Sequence, residues 1–170
     1  MDADELAEGL KVTQAPLKAR YRQGPTAAIV TLEAEGRLGS PGVTSSVATG
    51  TSDRRGRTAT GGDGSLACSG DMLLQALVAC ADVTLRSVAV SRGLEVEGTM
   101  RAEGDLDFRG TLGVDRDSEV GFTAIRLSFD LTSPASPGEL DALVETTERY
   151  CVVLQTLTRP PGIAVTVSPR

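Results

Sequence analysis

The most apolar stretch of the chain runs from Ser69 to Arg92, and its apolar residues recur at the spacing of an α-helix. Only four charged residues interrupt this stretch, so no broad face is left for water. Ser69 suits the N-cap position, and Gly93 suits the position just beyond the last turn. The pattern predicts a long buried helix that carries Cys80 near its middle.

Alternating apolar and polar residues predict strands on both sides of this helix. Residues 26–35 and 43–49 are expected to form an N-terminal hairpin, because a glycine-rich turn separates two alternating runs. Residues 94–109 form the longest alternating run, which is typical of a strand with one solvent-exposed face. Residues 122–131 alternate as well and are expected to pair with that strand in the antiparallel sense.

A second helix is predicted near the C-terminus. Ser136 and Glu139 have the spacing of a capping box, and Pro137 lies at the first helical position. Apolar residues then recur at helical spacing, so the helix is expected to continue through Cys151 to Leu157. A short alternating run, Ile163, Val165 and Val167, predicts a final strand.

This order of elements predicts an α+β fold in which helices cover one face of an antiparallel sheet. We expect residues 1–25 to form an N-terminal extension and residues 26–170 to form a single domain. The first helix is apolar all round, and no other element of the chain is long enough to cover its remaining side. We therefore expect a second subunit to cover it in a homodimer.

Composition narrows the function. The chain has 170 residues with a net charge of -6, which argues against a nucleic-acid partner. Histidine is absent, and the three cysteines match no metal-binding spacing, so we expect neither a metal nor a cofactor. The chain begins with acidic residues rather than the basic region of a signal peptide, and its apolar runs are interrupted. A cytoplasmic protein without a membrane partner is expected.

The cysteines are the leading candidates for chemistry. A helix that starts at Ser69 places Cys80 about 16 Å along its axis. A disulfide needs Cα atoms within about 7 Å, so Cys68 cannot pair with Cys80. No such prohibition separates Cys80 from Cys151, because their two helices can pack on the same sheet. A cysteine on an apolar helical face is nevertheless most often inert packing, and a mid-helix Cys80 would need a nearby cation to become a thiolate.

Several segments together resemble the OsmC/Ohr family of thiol peroxidases. They are LACSGDMLLQALVACADVTLRSVAV, EGDLDFRGTLGV, VGFTAIRLSFDL and TERYCVVLQTL, in that order after a glycine-rich loop, and the likeness covers residues 26–168. The resemblance implies an intertwined α+β homodimer. It also implies a thiol peroxidase that reduces hydroperoxides, organic ones preferentially, with a dithiol as the reductant.

The resemblance assigns roles to four residues of this chain. Cys80 matches the peroxidatic cysteine, and Cys151 matches the resolving cysteine that closes a disulfide with it. Arg57 is the first choice for the cation that stabilises the thiolate, with Arg54 and Arg55 behind it. Asp71 is the candidate partner of that arginine, because the family's Pro-Glu at the helix start corresponds here to Ser69-Gly70.

Two other functions remain open at this point. One is a protein of the same fold that binds a small hydrophobic ligand in an apolar pocket at the dimer interface. Its cysteines would be unreactive. The other is a structural dimer in which Cys80 and Cys151 merely pack together. The family's usual proline after the second cysteine is replaced here by Val152.

Overall fold

An antiparallel sheet is the framework of the fold. The computed structural model describes residues 3–38, 46–47, 58–62 and 68–168. Its strands are β1 (Ile29–Leu38), β2 (Ser46–Val47), β3 (Glu97–Asp107) and β4 (Phe122–Thr132). They lie in the order β2-β1-β3-β4, and each neighbouring pair is antiparallel. The predicted α+β class and the antiparallel sheet are confirmed.

The register brings distant parts of the chain together. The N-terminal hairpin is present, with Gly36 opposite Val47, although most of its predicted second strand lies outside the described residues. In the long strands, Ala102 lies opposite Ala34 on one side and opposite Leu127 on the other. This pairing of β1 with β3 joins segments separated by the whole central helix, which periodicity alone does not predict.

Five α-helices are described. They are α1 (Ala3–Gln23), α2 (Ser69–Ser91), a four-residue α3 (Phe108–Thr111), α4 (Pro137–Tyr150) and α5 (Val152–Thr158). The extension is more helical than its acidic start suggests, and it docks through Tyr21, whose hydroxyl donates to the carbonyl of Ala59 at 3.0 Å. The predicted capping box of α4 is confirmed, since the N–H of Ser136 donates to Glu139 at 2.8 Å.

The central helix α2 packs against β1, β3, α4 and α5. Its buried stripe has helical spacing and includes Leu74, Leu77, Val78, Ala81 and Leu85, all fully inaccessible. By length and hydropathy alone α2 is also apolar enough to cross a membrane. In the fold, this apolarity serves contacts with the sheet and the other helices.

One side of α2 stays open. Met72 is 55% exposed and Val90 is 79% exposed, so the helix is not covered all round within one chain. The helix begins at Ser69, but Cys68 takes the N-cap position that was predicted for Ser69. The N–H of Cys68 donates to the carboxylate of Asp71 at 3.3 Å, as in a capping box.

Glycines let α2 lie close to the sheet. A Cβ added at Gly70 would lie 2.7 Å from Leu32 Cδ1 and 3.3 Å from the ring of Phe122. A Cβ at Gly104 would overlap the same ring and lie 3.3 Å from a methyl group of Leu74. A larger residue at either position would therefore have to displace the neighbouring core side chains.

The C-terminal prediction needs two corrections. The second helix does not run unbroken to Leu157: α4 ends at Tyr150, and Cys151 separates it from α5. Residues 159–168 form no strand, and Ile163, Val165 and Val167 are each at least 85% exposed. Alternation predicts an extended segment, but within one chain this segment has no described strand beside it.

Candidate active site

Cys80 lies in the middle of α2, on the border of its buried stripe. The neighbouring Leu77 and Ala81 are fully buried, whereas Cys80 itself is partly accessible. The hydroxyl of Thr84, one turn further on, donates to the carbonyl oxygen of Cys80 at 2.8 Å. The Thr84 hydroxyl therefore makes its hydrogen bond within the helix. The Cys80 thiol projects from a regular helical backbone.

Cys151 lies at a break between two helices. Its N–H donates to the carbonyl of Thr147 at 2.9 Å, which completes the last turn of α4. Its own φ of -70° and ψ of 108° are extended rather than helical, so the chain changes direction there before α5 begins. The side chain is fully buried.

The fold brings these two thiols together, although 70 residues lie between them in the sequence. The Cys151 thiol lies close enough to the Cys80 thiol for the two groups to interact. Cys68, Cys80 and Cys151 are all free cysteines, and Cys68 lies at the far end of α2. The sequence-based exclusion of a Cys68–Cys80 pair agrees with this geometry, since α2 is continuous from Ser69 to Ser91.

The environment of Cys151 keeps its proton in place. Burial raises the pKa of the Cys151 thiol to about 11, and the hydrogen bond with Cys80 also raises this pKa. Hydrogen bonding from the backbone N–H groups of Leu154 and Val153 lowers the pKa and partly opposes this effect. Cys151 is therefore held in its protonated form beside Cys80.

The other predicted site residues do not join this pair within the described structure. Asp71 and Cys80 are nine residues apart on one continuous helix, an axial separation of about 14 Å. Asp71 is buried and accepts the N–H of Cys68, so it caps the helix. Arg57, like Arg54 and Arg55, lies outside the described residues. The roles of Asp71 and Arg57 remain predictions.

A buried ion pair on α2 was not singled out from the sequence. Asp82 is fully buried, and its carboxylate accepts from Arg86 Nε at 2.7 Å. Arg86 also donates to the carbonyl of Arg37 at 3.3 Å, which ties the helix to the end of β1. The sequence feature that could have predicted this pair is the spacing of four residues between opposite charges on an otherwise apolar helix. Among the described residues, no group of three or more acidic or cysteine side chains could hold a metal ion.

An apolar cleft of about 660 Å³ lies at the N-terminal end of α2. Leu106, Phe108 and Phe122 line it from the sheet side, and Cys68 and Met72 line it from the helix side. It lies around the first turn of α2, whereas the thiol pair lies three turns further along the helix.

Sequence reasoning also missed the helix break at Cys151. Apolar spacing continues through this residue, so periodicity gives no warning. The proline that commonly follows the second cysteine in the OsmC/Ohr pattern would have been a signal, because proline is typical of the first position of a helix. Val152 occupies that first position of α5 here.

Comparisons with known proteins agree with this architecture. The crystal structure of an OsmC-like hydroperoxide resistance protein from Jannaschia sp. CCS1 superposes with a TM-score of 0.58 and 15% sequence identity, covering 84% of this chain and 95% of that chain. No curated protein matches the sequence. The family model described as OsmC-like protein matches residues 62–166, more than half of the chain and the part that contains both thiols. The chain therefore belongs to the OsmC-like protein family.

Proposed function

We propose that this protein is a thiol-dependent peroxidase that reduces hydroperoxides, organic ones preferentially, through Cys80 and Cys151. The observation that carries the proposal is the approach of these two thiols, one in mid-helix and one at a helix break. Family membership and the name of the Jannaschia structure, a hydroperoxide resistance protein, point to the same chemistry.

The reaction divides into two thiol steps and a recycling step. The Cys80 thiolate attacks the terminal oxygen of the hydroperoxide, the O–O bond breaks, and the alcohol leaves with a proton while Cys80 becomes a sulfenic acid. The Cys151 sulfur then attacks the Cys80 sulfur, and water leaves with the Cys151 proton as the disulfide forms. A dithiol reductant reopens the disulfide by exchange.

The different surroundings of the two thiols support this division of roles. Cys151 is fully buried and holds its proton, because its pKa is raised to about 11. Cys80 is partly accessible, which suits a group that must meet a substrate. A cation is still needed to favour the Cys80 thiolate, and Arg57 keeps that role in the proposal, with Asp71 as its orienting partner.

The active form in this proposal is a homodimer located in the cytoplasm. The exposed apolar residues of α2 and the extended C-terminal segment support the dimer. Val90, Ile163, Val165 and Val167 are 79–86% exposed, an arrangement that a partner surface would bury. Size-exclusion chromatography with light scattering should give twice the chain mass at micromolar concentration, and a stable monomer would contradict the dimer.

The decisive experiment is turnover of an organic hydroperoxide with dithiothreitol as the reductant. Wild type should turn over, and Cys80→Ser should fall to the rate measured without protein. Cys68→Ser is the matched control and should keep the wild-type rate, since Cys68 lies about 18 Å from Cys80 along the axis of α2. Equal rates for wild type and Cys80→Ser would overturn the proposal.

A second candidate function rests on the cleft at the start of α2. Its volume of about 660 Å³ and its apolar walls are typical of a small-molecule site. In this alternative, the protein holds a small hydrophobic ligand there and its cysteines are unreactive. Native mass spectrometry that finds a retained ligand, together with inactive thiols in the turnover assay, would favour it.

A further inference from the structure

The junction between α4 and α5 determines where the Cys151 sulfur lies. The last carbonyl groups of a helix lack partners within that helix, and the carbonyl of Glu148 is one of these groups in α4. Because Cys151 is extended, the angle between α4 and α5 depends on bonds that cross the break.

Gln155 makes bonds on both sides of this break. Its backbone N–H donates to the carbonyl of Cys151 at 2.9 Å, which closes the first turn of α5. Its side-chain Nε2 donates to the carbonyl of Glu148 at 2.8 Å, which reaches back into α4. One residue therefore links the helix before Cys151 to the helix after it.

The orientation of α5 matters for the sulfur as well as for the backbone. Hydrogen bonding from the backbone N–H groups of Val153 and Leu154, in the first turn of α5, acts on the Cys151 thiol and partly opposes the rise in its pKa. A disulfide tolerates only a narrow range of geometry, with Cβ atoms about 3.5–4.5 Å apart. A change in the angle between α4 and α5 would move Cys151 relative to Cys80, which is held on the long helix α2.

We propose that Gln155 is a positioning residue for Cys151: its side-chain bond to Glu148 holds the break in the geometry that lets Cys151 form a disulfide with Cys80. The role of this bond in turnover rests on the proposed peroxidase function. Its role in disulfide formation does not, because any thiol–disulfide exchange can close the same bond.

The test measures disulfide formation in glutathione buffers, without a hydroperoxide. Oxidised glutathione and the two protein thiols give the protein disulfide and two molecules of reduced glutathione, so the exchange is balanced. Gln155→Met keeps the length of the side chain and its helix propensity but removes the donor. We expect its disulfide to be about fivefold less favoured than that of wild type, the factor that corresponds to one lost net hydrogen bond.

Two variants separate positioning from general stability. Thr156→Ala removes a bond of 2.8 Å from Thr156 to Val152, which lies entirely within α5, and it should leave the disulfide equilibrium unchanged. Gln155→Lys restores a donor at the same position and should recover most of the wild-type equilibrium. An unchanged equilibrium in Gln155→Met, an equal loss in Thr156→Ala, or no recovery in Gln155→Lys would each overturn the inference.

A second readout keeps this inference separate from the proposed function. After a single addition of an organic hydroperoxide, Gln155→Met should form the Cys80 sulfenic acid at the wild-type rate but accumulate it, as seen by trapping with dimedone. A wild type that closes the disulfide in glutathione but ignores hydroperoxides would contradict the peroxidase and leave the positioning role supported. A wild type that never closes the disulfide would overturn the positioning role.

Discussion

The two faces of the sheet place their ionisable side chains in opposite surroundings, one exposed to water and the other buried. On the outer face, carboxylates and guanidinium groups of neighbouring strands form cross-strand pairs in contact with water. Arg101 reaches Glu33 and Glu35, and Arg126 reaches Glu103 and Asp105. On the covered face, two ionisable groups of the described residues, Asp82 and Cys151, are fully buried among the helices.

Because of this difference, the main cause of a pKa shift is not the same on the two faces. On the outer face, the hydrogen bond from Arg126 holds the pKa of Asp105 down to about 2, with a second bond of 2.6 Å from Thr31. On the covered face, loss of water is the first cause, and it raises the pKa of Cys151 to about 11. Single groups should therefore matter more on the covered face than on the outer face.

The largest effect is expected from Asp82→Ala. This change removes the fully buried carboxylate to which Arg86, only 13% exposed, donates, and it should lower the free energy of unfolding by about 3 kcal/mol. Glu33→Ala is the matched change on the outer face, and it should cost less than about 1 kcal/mol because water already surrounds the pair.

Urea unfolding of both variants measures this contrast. The double variant Asp82→Leu, Arg86→Met should recover much of the loss, because an apolar pair removes both buried charges together. Equal losses in Asp82→Ala and Glu33→Ala would show that burial does not distinguish the two faces.

An intermediate effect is expected for Cys151 at alkaline pH. The folded state holds this proton up to a pKa of about 11, against an ordinary value of 9.0, so its contribution to stability is complete below pH 9 and is lost as the pH rises towards 11. The difference in free energy of unfolding between reduced wild type and Cys151→Ala should therefore shrink as the pH rises from 9 to 11. Tyr21, whose pKa burial also raises, is present in both proteins and cancels in the comparison.

Urea unfolding at several pH values, with a reductant present, measures this effect. A constant difference between the two proteins from pH 8 to pH 11 would contradict the raised pKa of Cys151.

The smallest effect is expected for Asp105 at acid pH. Its folded pKa of about 2 lies below the ordinary value of 3.8, so its contribution is present above about pH 4 and is lost as the pH falls towards 2. Asp105→Asn should destabilise the protein by less than about 1 kcal/mol at pH 7, and the difference from wild type should vanish near pH 2.

Added salt provides the check for this outer-face pair. Because Arg126 is 47% exposed, high salt should shrink the effect of Asp105→Asn at pH 7. An effect that persists unchanged in high salt would mean that dissolved ions do not screen this pair.

Much of the fold could be predicted from local patterns. Residues that lie close together in sequence determine the length of α2, the solvent-exposed face of β3 and the capping box of α4. Periodicity failed where a pattern continues through a break in structure. Apolar spacing runs through Cys151, and the alternation of residues 163–167 marks an extended segment without saying which strand it pairs with.

The candidate site was predictable only in part. Elimination and family resemblance both singled out Cys80 and Cys151, but helical periodicity could not place Cys151 at a break or reveal the bond from Gln155 to Glu148. Gly70 shows a similar limit. The resemblance marks its position as a departure from the family's glutamate, and only the contact with Leu32 shows how little room a side chain has there.

The sequence by itself determined the central helix, the long strands, the start of α4 and which cysteines are available, because propensity and periodicity act over a few residues. The tertiary structure decided which groups meet: β1 beside β3, Arg86 against Asp82, and the Cys80 thiol against the Cys151 thiol. It also decided the chemistry of Cys151, because a raised pKa depends on removal of water by residues that are distant in sequence.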